Sequence, residues 1–281
     1  MTARITWLPG NRLHLNHGPI DVILQGWGDP RALAQGYAAV ADRFPAILPG
    51  LCAELPALRH PDAPLHGPIA RRMAAATRPF RPAFITPMAA VAGAVAEAVL
   101  RAFIRPGITR AFANNGGDIA LHLDPGESLT CAIAARPGTA DRITIREADP
   151  VRGIATSGWR GRSHSLGIAD AVTVLAATAP MADAAATMIA NAVDLPGHPA
   201  ITRRPARDLA PDSDLGPRPV TTAVGPLSTP DITTALTAGE TRARHLRAQG
   251  LIEAAALFLH PDLRTIGPMT LSAPQKEPAL A

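Results

Sequence analysis

Residues 153–193 read GIATSGWRGRSHSLGIADAVTVLAATAPMADAAATMIANAV. Two short apolar segments, one at the start of this stretch and one at 171–176, predict strands separated by a polar turn. A helix of small residues is predicted from 180 to 192, and Pro196-Gly197 would stop it. The alanines around Asp183 in this helix would allow its backbone to come close to whatever is bound. We expect the functional site of the protein in this stretch.

The sequence outside this stretch predicts several strand pairs and three further helices. Gly18-Pro19 and the turn at 114–117 each separate two strand-like segments. Asp29-Pro30 is a helix start, because the aspartate can cap the helix and the proline loses no needed N–H. Residues 60–82 are rich in proline and predict a surface connection. The predicted elements are strands at 13–17, 20–24, 109–113, 118–123, 129–134, 142–146 and within 251–259, a Pro-Gly turn at 137–138, and helices at 30–44, 86–103 and 230–250.

Strands and helices alternate irregularly in this prediction, and several neighbouring strands form hairpins. Such an order favours an α+β fold in which mixed, largely antiparallel sheets are packed with helices. The sequence contains no internal repeat and no clear boundary. We therefore expect one unit over residues 1–269 and a frayed tail over 270–281.

Composition excludes several classes of protein. Hydrophobic residues make up 47% of the 281 residues and charged residues 18%, which is typical of a folded globular chain. The net charge is +4, yet Lys276 is the only lysine and no run of five basic residues occurs, so nucleic-acid binding is not expected. The most apolar stretch, 84–100, is short for a membrane span and contains Glu97, so no membrane association is expected.

The same features bear on location and assembly. Cys52 and Cys131 have no metal-like spacing and are expected to be buried, reduced thiols. Residues 1–7 have no long apolar core and no small-residue cleavage site, so a cytoplasmic location is expected. Small-residue helices with few charges make a homodimer plausible.

The turn after residue 153 is the first candidate for a ligand site. Thr156, Ser157 and Gly158 follow a predicted strand, and His164 comes six residues after that glycine. Hydroxyls and backbone N–H groups at a strand end can hold phosphate or carboxylate oxygens. An ordinary polar loop with an incidental histidine is the alternative from these residues alone.

Asp183 and Thr187 form the second candidate. They are four residues apart and so lie on one face of the predicted helix. Their oxygens could bind a hard cation such as Mg²⁺. Alternatively, Asp183 only stabilises the start of its own helix, where the helix dipole favours a negative charge.

The third candidate is the turn formed by Asn114, Asn115, Gly116, Gly117 and Asp118. Two adjacent glycines permit positive φ angles and the close approach of a ligand. A tight hairpin turn is the alternative for this segment in isolation.

The order of these segments resembles the ApbE family. The resemblance rests on Gly-Gly-Asp-Ile at 116–119, Ala-Thr-Ser-Gly at 155–158, Ser163-His164, Val-Thr-Val at 172–174 and Ala-Asp-x-x-Ala-Thr at 182–187, and covers roughly 111–193. Proteins of that family are Mg²⁺-dependent flavin transferases, which split FAD and attach FMN to a threonine of a target protein. The resemblance implies that Asp183 and Thr187 bind the metal and that His164 is the active-site histidine. It further implies that Gly116, Gly117 and Asp118 form the family's Gly-Gly-Asp turn.

The sequence also departs from the transferases. Their Met-Gly-Thr segment is absent near the N-terminus, no lysine occurs in the helix at 86–103, and the loop after His164 is shorter. The chain is most similar to a shorter ApbE-like branch that has a His-Gly-Pro-Ile-Asp hairpin, here at 17–21.

Three functions remain open from the sequence. The first is an enzyme that uses Mg²⁺ and acts on a flavin, such as FAD or FMN, or on another phosphate-bearing or heteroaromatic small molecule. Asp118 and His164 would be its catalytic residues, and the turns of residues 115–117 and 156–158 would hold the ligand. The second is a cofactor-binding or accessory protein without turnover. The third is a hydrolase or other enzyme of an unrelated small metabolite.

Overall fold

The computed structural model describes residues 2–133 and 141–269. The predicted Pro-Gly turn at 137–138 and the predicted tail at 270–281 lie outside these residues. The strands are β1 (Arg4–Leu8), β2 (Arg12–His17), β3 (Ile20–Gly28), β4 (Ile108–Asn115), β5 (Asp118–Leu123), β6 (Ser128–Ile133), β7 (Asp141–Arg146), β8 (Gly153–Ser157), β9 (Ala171–Ala176), β10 (Ile201–Pro205), β11 (Pro219–Val224), β12 (Ala254–Leu259) and β13 (Asp262–Ile266). The α-helices are α1 (Pro30–Arg43), α2 (Ile47–Ala53), α3 (Leu55–Leu58), α4 (Pro68–Thr77), α5 (Val91–Phe103), α6 (Ala179–Ala192), α7 (Ala206–Leu209) and α8 (Thr229–Ala248).

Nine strands form one sheet in the order β1-β2-β3-β4-β5-β8-β9-β12-β13. Every neighbouring pair in this sheet is antiparallel. The strands β6 and β7 form one small antiparallel sheet, and β10 and β11 form another. The predicted α+β fold with largely antiparallel sheets packed with helices is confirmed.

Helices cover one face of the large sheet, and the β6–β7 hairpin covers part of the other. All six residues of β9 are buried, which is the pattern of a strand packed on both faces. On the helical side, α6 packs against β8 and β9 through a run of buried alanines at 184–186. On the other side, Leu129, Ile143 and Ile145 belong to a second apolar cluster that includes Ile154. The centre of the sheet is therefore enclosed in the region of the predicted site.

Two glycines let α6 begin unusually close to its neighbours. A Cβ built on Gly153 would overlap the backbone of Thr178 and Ala179, and one built on Gly93 would overlap the backbone of Ala179 and Pro180. Only glycine fits at such distances. The N-terminus of α6 consequently lies against both β8 and the first turn of α5.

The structure corrects the prediction in several places. Cys52, expected to be buried, is exposed. Residues 60–82 are not merely a surface connection, because α4 begins at Pro68 and buries Ile69 and Met73. Pro68 occupies the first helical position, where proline is tolerated. The predicted helix at 86–103 begins with a 3₁₀ turn over Pro87–Ala90 before α5. The sequence did not predict the strands β1, β10, β11 and β13.

The other predicted elements are confirmed within a few residues. No helix among residues 2–133 and 141–269 is long and apolar enough to cross a membrane.

Candidate functional site

The site is built where four elements meet. The turn between β4 and β5 carries the Gly-Gly-Asp segment, and β8 ends beside it because β5 and β8 are paired. The N-terminal turns of α5 and α6 approach the same place. Segments that are far apart in the sequence thereby come together at one place, which we call the crevice.

Asp118 is the first residue of β5 and faces the end of β8. Its Oδ1 accepts a hydrogen bond from the backbone N–H of Thr156 at 3.2 Å. The side chain of Asp118 is partly exposed, yet its removal from water by the surrounding protein is the largest effect on its pKa. This desolvation raises the pKa of Asp118 to about 7, although the Thr156 N–H and the charge of Arg162 act in the opposite direction.

Asp183 caps a helix other than its own. Its Oδ2 accepts a hydrogen bond from the N–H of Gly93 at 3.0 Å, and the N–H of Ala92 also donates to this carboxyl group. Both N–H groups belong to the first turn of α5, whose dipole favours a negative charge there. The α6 helix is capped instead by Thr178 and has no acidic residue in its first turn, so the idea that Asp183 stabilises the start of its own helix is wrong.

Asp118 and Asp183 lie close enough for their charges to repel. Burial raises the pKa of Asp183 well above its ordinary value, and the negative charge of Asp118 raises it further. The hydrogen bonds from α5 oppose these two effects without overcoming them. The crevice therefore holds two carboxyl groups in a setting that disfavours two negative charges.

Asn115 fixes the glycine turn against α5. Its side chain, 6% exposed, accepts a hydrogen bond from the N–H of Asp21 at 3.3 Å and donates one to the carbonyl of Ala92 at 3.1 Å. Ala92 is thus held through its carbonyl by Asn115 and through its N–H by Asp183. Asn115 positions this turn and the start of α5 rather than facing open space.

The two glycines of the turn differ in what surrounds them. Both have positive φ angles, 67° at Gly116 and 115° at Gly117. A Cβ built on Gly116 would overlap Nη2 of Arg162, whereas one built on Gly117 meets nothing within 4 Å. The surface over Gly117 is therefore open, and an arginine covers Gly116.

The structure places the residues of the Thr-Ser-Gly segment mostly inside the protein. The hydroxyl of Thr156 is hydrogen-bonded to that of Thr173, which is fully buried, at 2.8 Å. A Cβ on Gly158 would overlap the backbone of Asp170, so this glycine packs against the loop that follows it. Ser157 is half-buried. Thr156 contributes its N–H to Asp118, and its hydroxyl points to the sheet.

His164 and Thr187 are less closely tied to the carboxyl pair. His164 is exposed, and Thr187 is half-buried one turn after Asp183. Neither side chain makes a hydrogen bond to any residue that the structure describes. Their predicted roles as active-site histidine and metal ligand stay predictions.

Two further residues of the loop at 158–170 shape the site, and sequence reasoning missed both. Asp170 is buried and accepts hydrogen bonds from Trp159 Nε1 at 3.2 Å and from the N–H of His260 at 2.9 Å, and it pairs with Arg160. Arg162 projects from the same loop over Gly116. The sequence GWRGR at 158–162, with a tryptophan and two arginines among glycines, could have indicated an ordered loop.

The residues that could hold a metal are few. Among the described residues, no group of three or more His, Cys, Asp and Glu side chains is placed to bind a metal ion. Asp118 and Asp183 are the two carboxyl groups that approach each other in the crevice, with the hydroxyl of Thr187 on the same helix as Asp183.

Comparison with known proteins identifies a family that spans most of the chain and relatives that match about half of it. The family model described as AbpE bacteria matches residues 5–269. A UPF0280 protein of Methanothrix thermoacetophila is 39% identical over 130 residues, which cover 45% of this chain and 52% of the relative. A UPF0280 protein of Methanosphaerula palustris is 40% identical over 136 residues, covering 47% and 56%. The chain thus spans about half the length of these curated relatives.

A solved structure is also among the matches. It is the crystal structure of the Pseudomonas stutzeri flavinyl transferase ApbE in its apo form, which is 13% identical, with 95% of each chain covered and a TM-score of 0.44.

Proposed function

The chain belongs to the family described as AbpE bacteria, and we propose that it is a Mg²⁺-dependent enzyme acting on a flavin nucleotide or on another phosphate-bearing or heteroaromatic small molecule. The observation that carries this proposal is the pairing of Asp118 with Asp183 at the N-terminus of α5. These two carboxyl groups are partly removed from water, and Arg162 is the one cation among the described residues that acts on Asp118, so a bound cation would relieve the repulsion between them. The motif resemblance to the ApbE flavin transferases supplies the reaction.

The residues of the crevice fit Mg²⁺. This ion takes oxygen ligands, keeps several waters, and is usually held by one or two carboxylates together with substrate phosphates. The carboxyl group of Asp183 and the hydroxyl of Thr187 are such donors. When bound, Mg²⁺ would offset phosphate charge and polarise the bond being broken.

The remaining groups have roles that follow from their positions. The α5 amides hold the carboxyl group of Asp183 in one orientation. The open space over Gly117 admits the ligand next to Asp118. A carboxyl group whose pKa is about 7 can accept a proton at neutral pH, so Asp118 is placed to take the proton of an attacking hydroxyl. His164 reaches the ligand from the exposed loop in this proposal.

Release of AMP from FAD tests the flavin-transferase form. Incubation with FAD and Mg²⁺ at pH 8 should release AMP, measured by chromatography, and omission of Mg²⁺ should abolish the release. Asp183→Ala should release none, whereas Asp42→Ala, which changes an exposed aspartate of α1, should match the unaltered protein. Absence of AMP with the unaltered protein would exclude this form of the function.

A cofactor-binding or accessory role without turnover is the second candidate. The exposed position of His164, without a hydrogen bond to any described residue, favours it. Purified protein that carries a flavin or pterin by absorbance and mass, and that leaves it unchanged with Mg²⁺, would support this role over catalysis.

A further inference from the structure

Arg162 is a cation near the crevice that has no role in the proposed reaction. Its side chain extends from an exposed loop position, and its guanidinium group lies over Gly116. Its positive charge lowers the pKa of Asp118, so the two groups are near each other. Within the described part of the chain, the Arg162 side chain donates no hydrogen bond.

The other arginines around the crevice are already committed. Arg160 pairs with the buried carboxylate of Asp170 at 2.5 Å. Arg203 donates to the carbonyl of Leu166 and to Asp194. Each of these two arginines holds a loop, so turning its side chain to a ligand would break the contact with Asp170 or with Leu166 and Asp194. Arg162 has all of its donors available beside the open space over Gly117.

We propose that Arg162 binds a phosphate group of the small molecule that occupies the crevice and so determines its preference for phosphorylated ligands. Two carboxyl groups repel an incoming anion, and a planar guanidinium group binds phosphate through two parallel hydrogen bonds. Glycine at 116 is what lets the arginine lie at this edge, because any Cβ there would overlap it. The inference rests on the proposed function for the position of the ligand in the crevice. That the recognised group is a phosphate is inferred from Arg162 itself.

Titration calorimetry at pH 8 with Mg²⁺ tests the proposal, with pyrophosphate, FMN and riboflavin as probes. Arg162→Gln should weaken pyrophosphate and FMN binding by about 10-fold to 100-fold, the range for a hydrogen bond to a charged group. Riboflavin, which has no phosphate, should bind both proteins equally. Arg162→Lys should keep part of the affinity, since lysine retains the charge without the planar fork.

Arg31→Gln is the matched control, because Arg31 is an exposed arginine at the start of α1. It should bind every probe as the unaltered protein does. The proposal is overturned if the unaltered protein does not bind pyrophosphate, if Arg162→Gln binds it as tightly as the unaltered protein, or if FMN and riboflavin lose affinity equally.

Failure of this proposal and failure of the proposed function give different results. Pyrophosphate binding that depends on Arg162, without AMP release from FAD, would remove the transferase and retain the phosphate contact. If Arg162→Gln and the unaltered protein release AMP equally and bind pyrophosphate with equal affinity, the phosphate contact of Arg162 is excluded and the transferase function is retained.

Discussion

Replacing Asp118 with asparagine should stabilise the metal-free protein, and more so as the pH rises. The pKa of Asp118 is raised from 3.8 to about 7 in the folded protein, mainly by burial. The folded state therefore holds this proton more tightly than the unfolded state. The stability that results is fully present below about pH 4 and is lost as the pH rises to about 7.

The size of the effect follows from the shift. Each pKa unit corresponds to about 1.4 kcal/mol, so a shift of about three units corresponds to about 4 kcal/mol at pH 8. Asp118 keeps some access to solvent, which screens its charge, so we expect about half of this, or about 2 kcal/mol. Asparagine carries no charge at any pH, and its amide oxygen can still accept the N–H of Thr156.

Urea unfolding at several pH values, in buffer with a chelator, measures this difference. The free energy of unfolding of Asp118→Asn should exceed that of the unaltered protein by about 2 kcal/mol at pH 8 and by less than about 1 kcal/mol near pH 4.5. Asp42→Asn, at an exposed site, should show no such trend. Equal pH dependence in Asp118→Asn and in the unaltered protein, or a gain in its relative stability only at low pH, would refute the reasoning.

Three further changes test neighbouring parts of the site. Addition of Mg²⁺ at pH 8 should raise the melting temperature of the unaltered protein, measured by scanning calorimetry. Asp183→Asn should show no such rise, because the charge that attracts the cation is gone, and an equal rise in both proteins would contradict this. Asn115→Leu should lower the free energy of unfolding in urea by about 2 kcal/mol, because the partly buried carbonyl of Ala92 and the N–H of Asp21 both lose their partner. Gly153→Ala should destabilise by about 3 kcal/mol or more, because its Cβ would overlap the backbone of Thr178; a melting temperature like that of the unaltered protein would show that α6 can move away.

Elements with a local signal were predictable from the sequence. The cap at Asp29 is one example, since its Oδ1 accepts the N–H of Ala32 at 2.8 Å, three residues away. The hairpin around Gly18-Pro19 is another, because β2 and β3 pair across that turn with His17 opposite Ile20. In such cases all the determinants lie within a few residues of one another.

The two edge strands of the large sheet were not predicted. The strand β1 alternates polar and apolar residues over Arg4–Trp7, yet these four residues are exposed and the strand is only five residues long. The strand β13, also five residues long, pairs with the preceding β12 at the opposite edge. Sequence periodicity reports burial, and these strands have little of it.

The candidate site divides in the same way. The glycine turn and the Asp183–Thr187 spacing could be read from the sequence, since each lies within one short segment. The contact between Asp183 and Gly93 joins residues 90 positions apart, and no local pattern indicates it. The same holds for the approach of Asp183 to Asp118 and for Arg162 over Gly116.

The opposing effects on Asp183 bear on the proposal that the crevice binds a cation together with a phosphate. Two α5 amides and the helix dipole favour its negative charge, whereas burial and Asp118 disfavour it, and the latter prevail. An anion alone would add to the repulsion between the two carboxyl groups. A cation alone would relieve this repulsion but would leave Arg162, among the described residues, with Asp118 as its nearby negative charge. In the proposal, a phosphate that brings Mg²⁺ with it meets both needs, because the cation offsets the charge of the carboxyl groups and the phosphate binds Arg162.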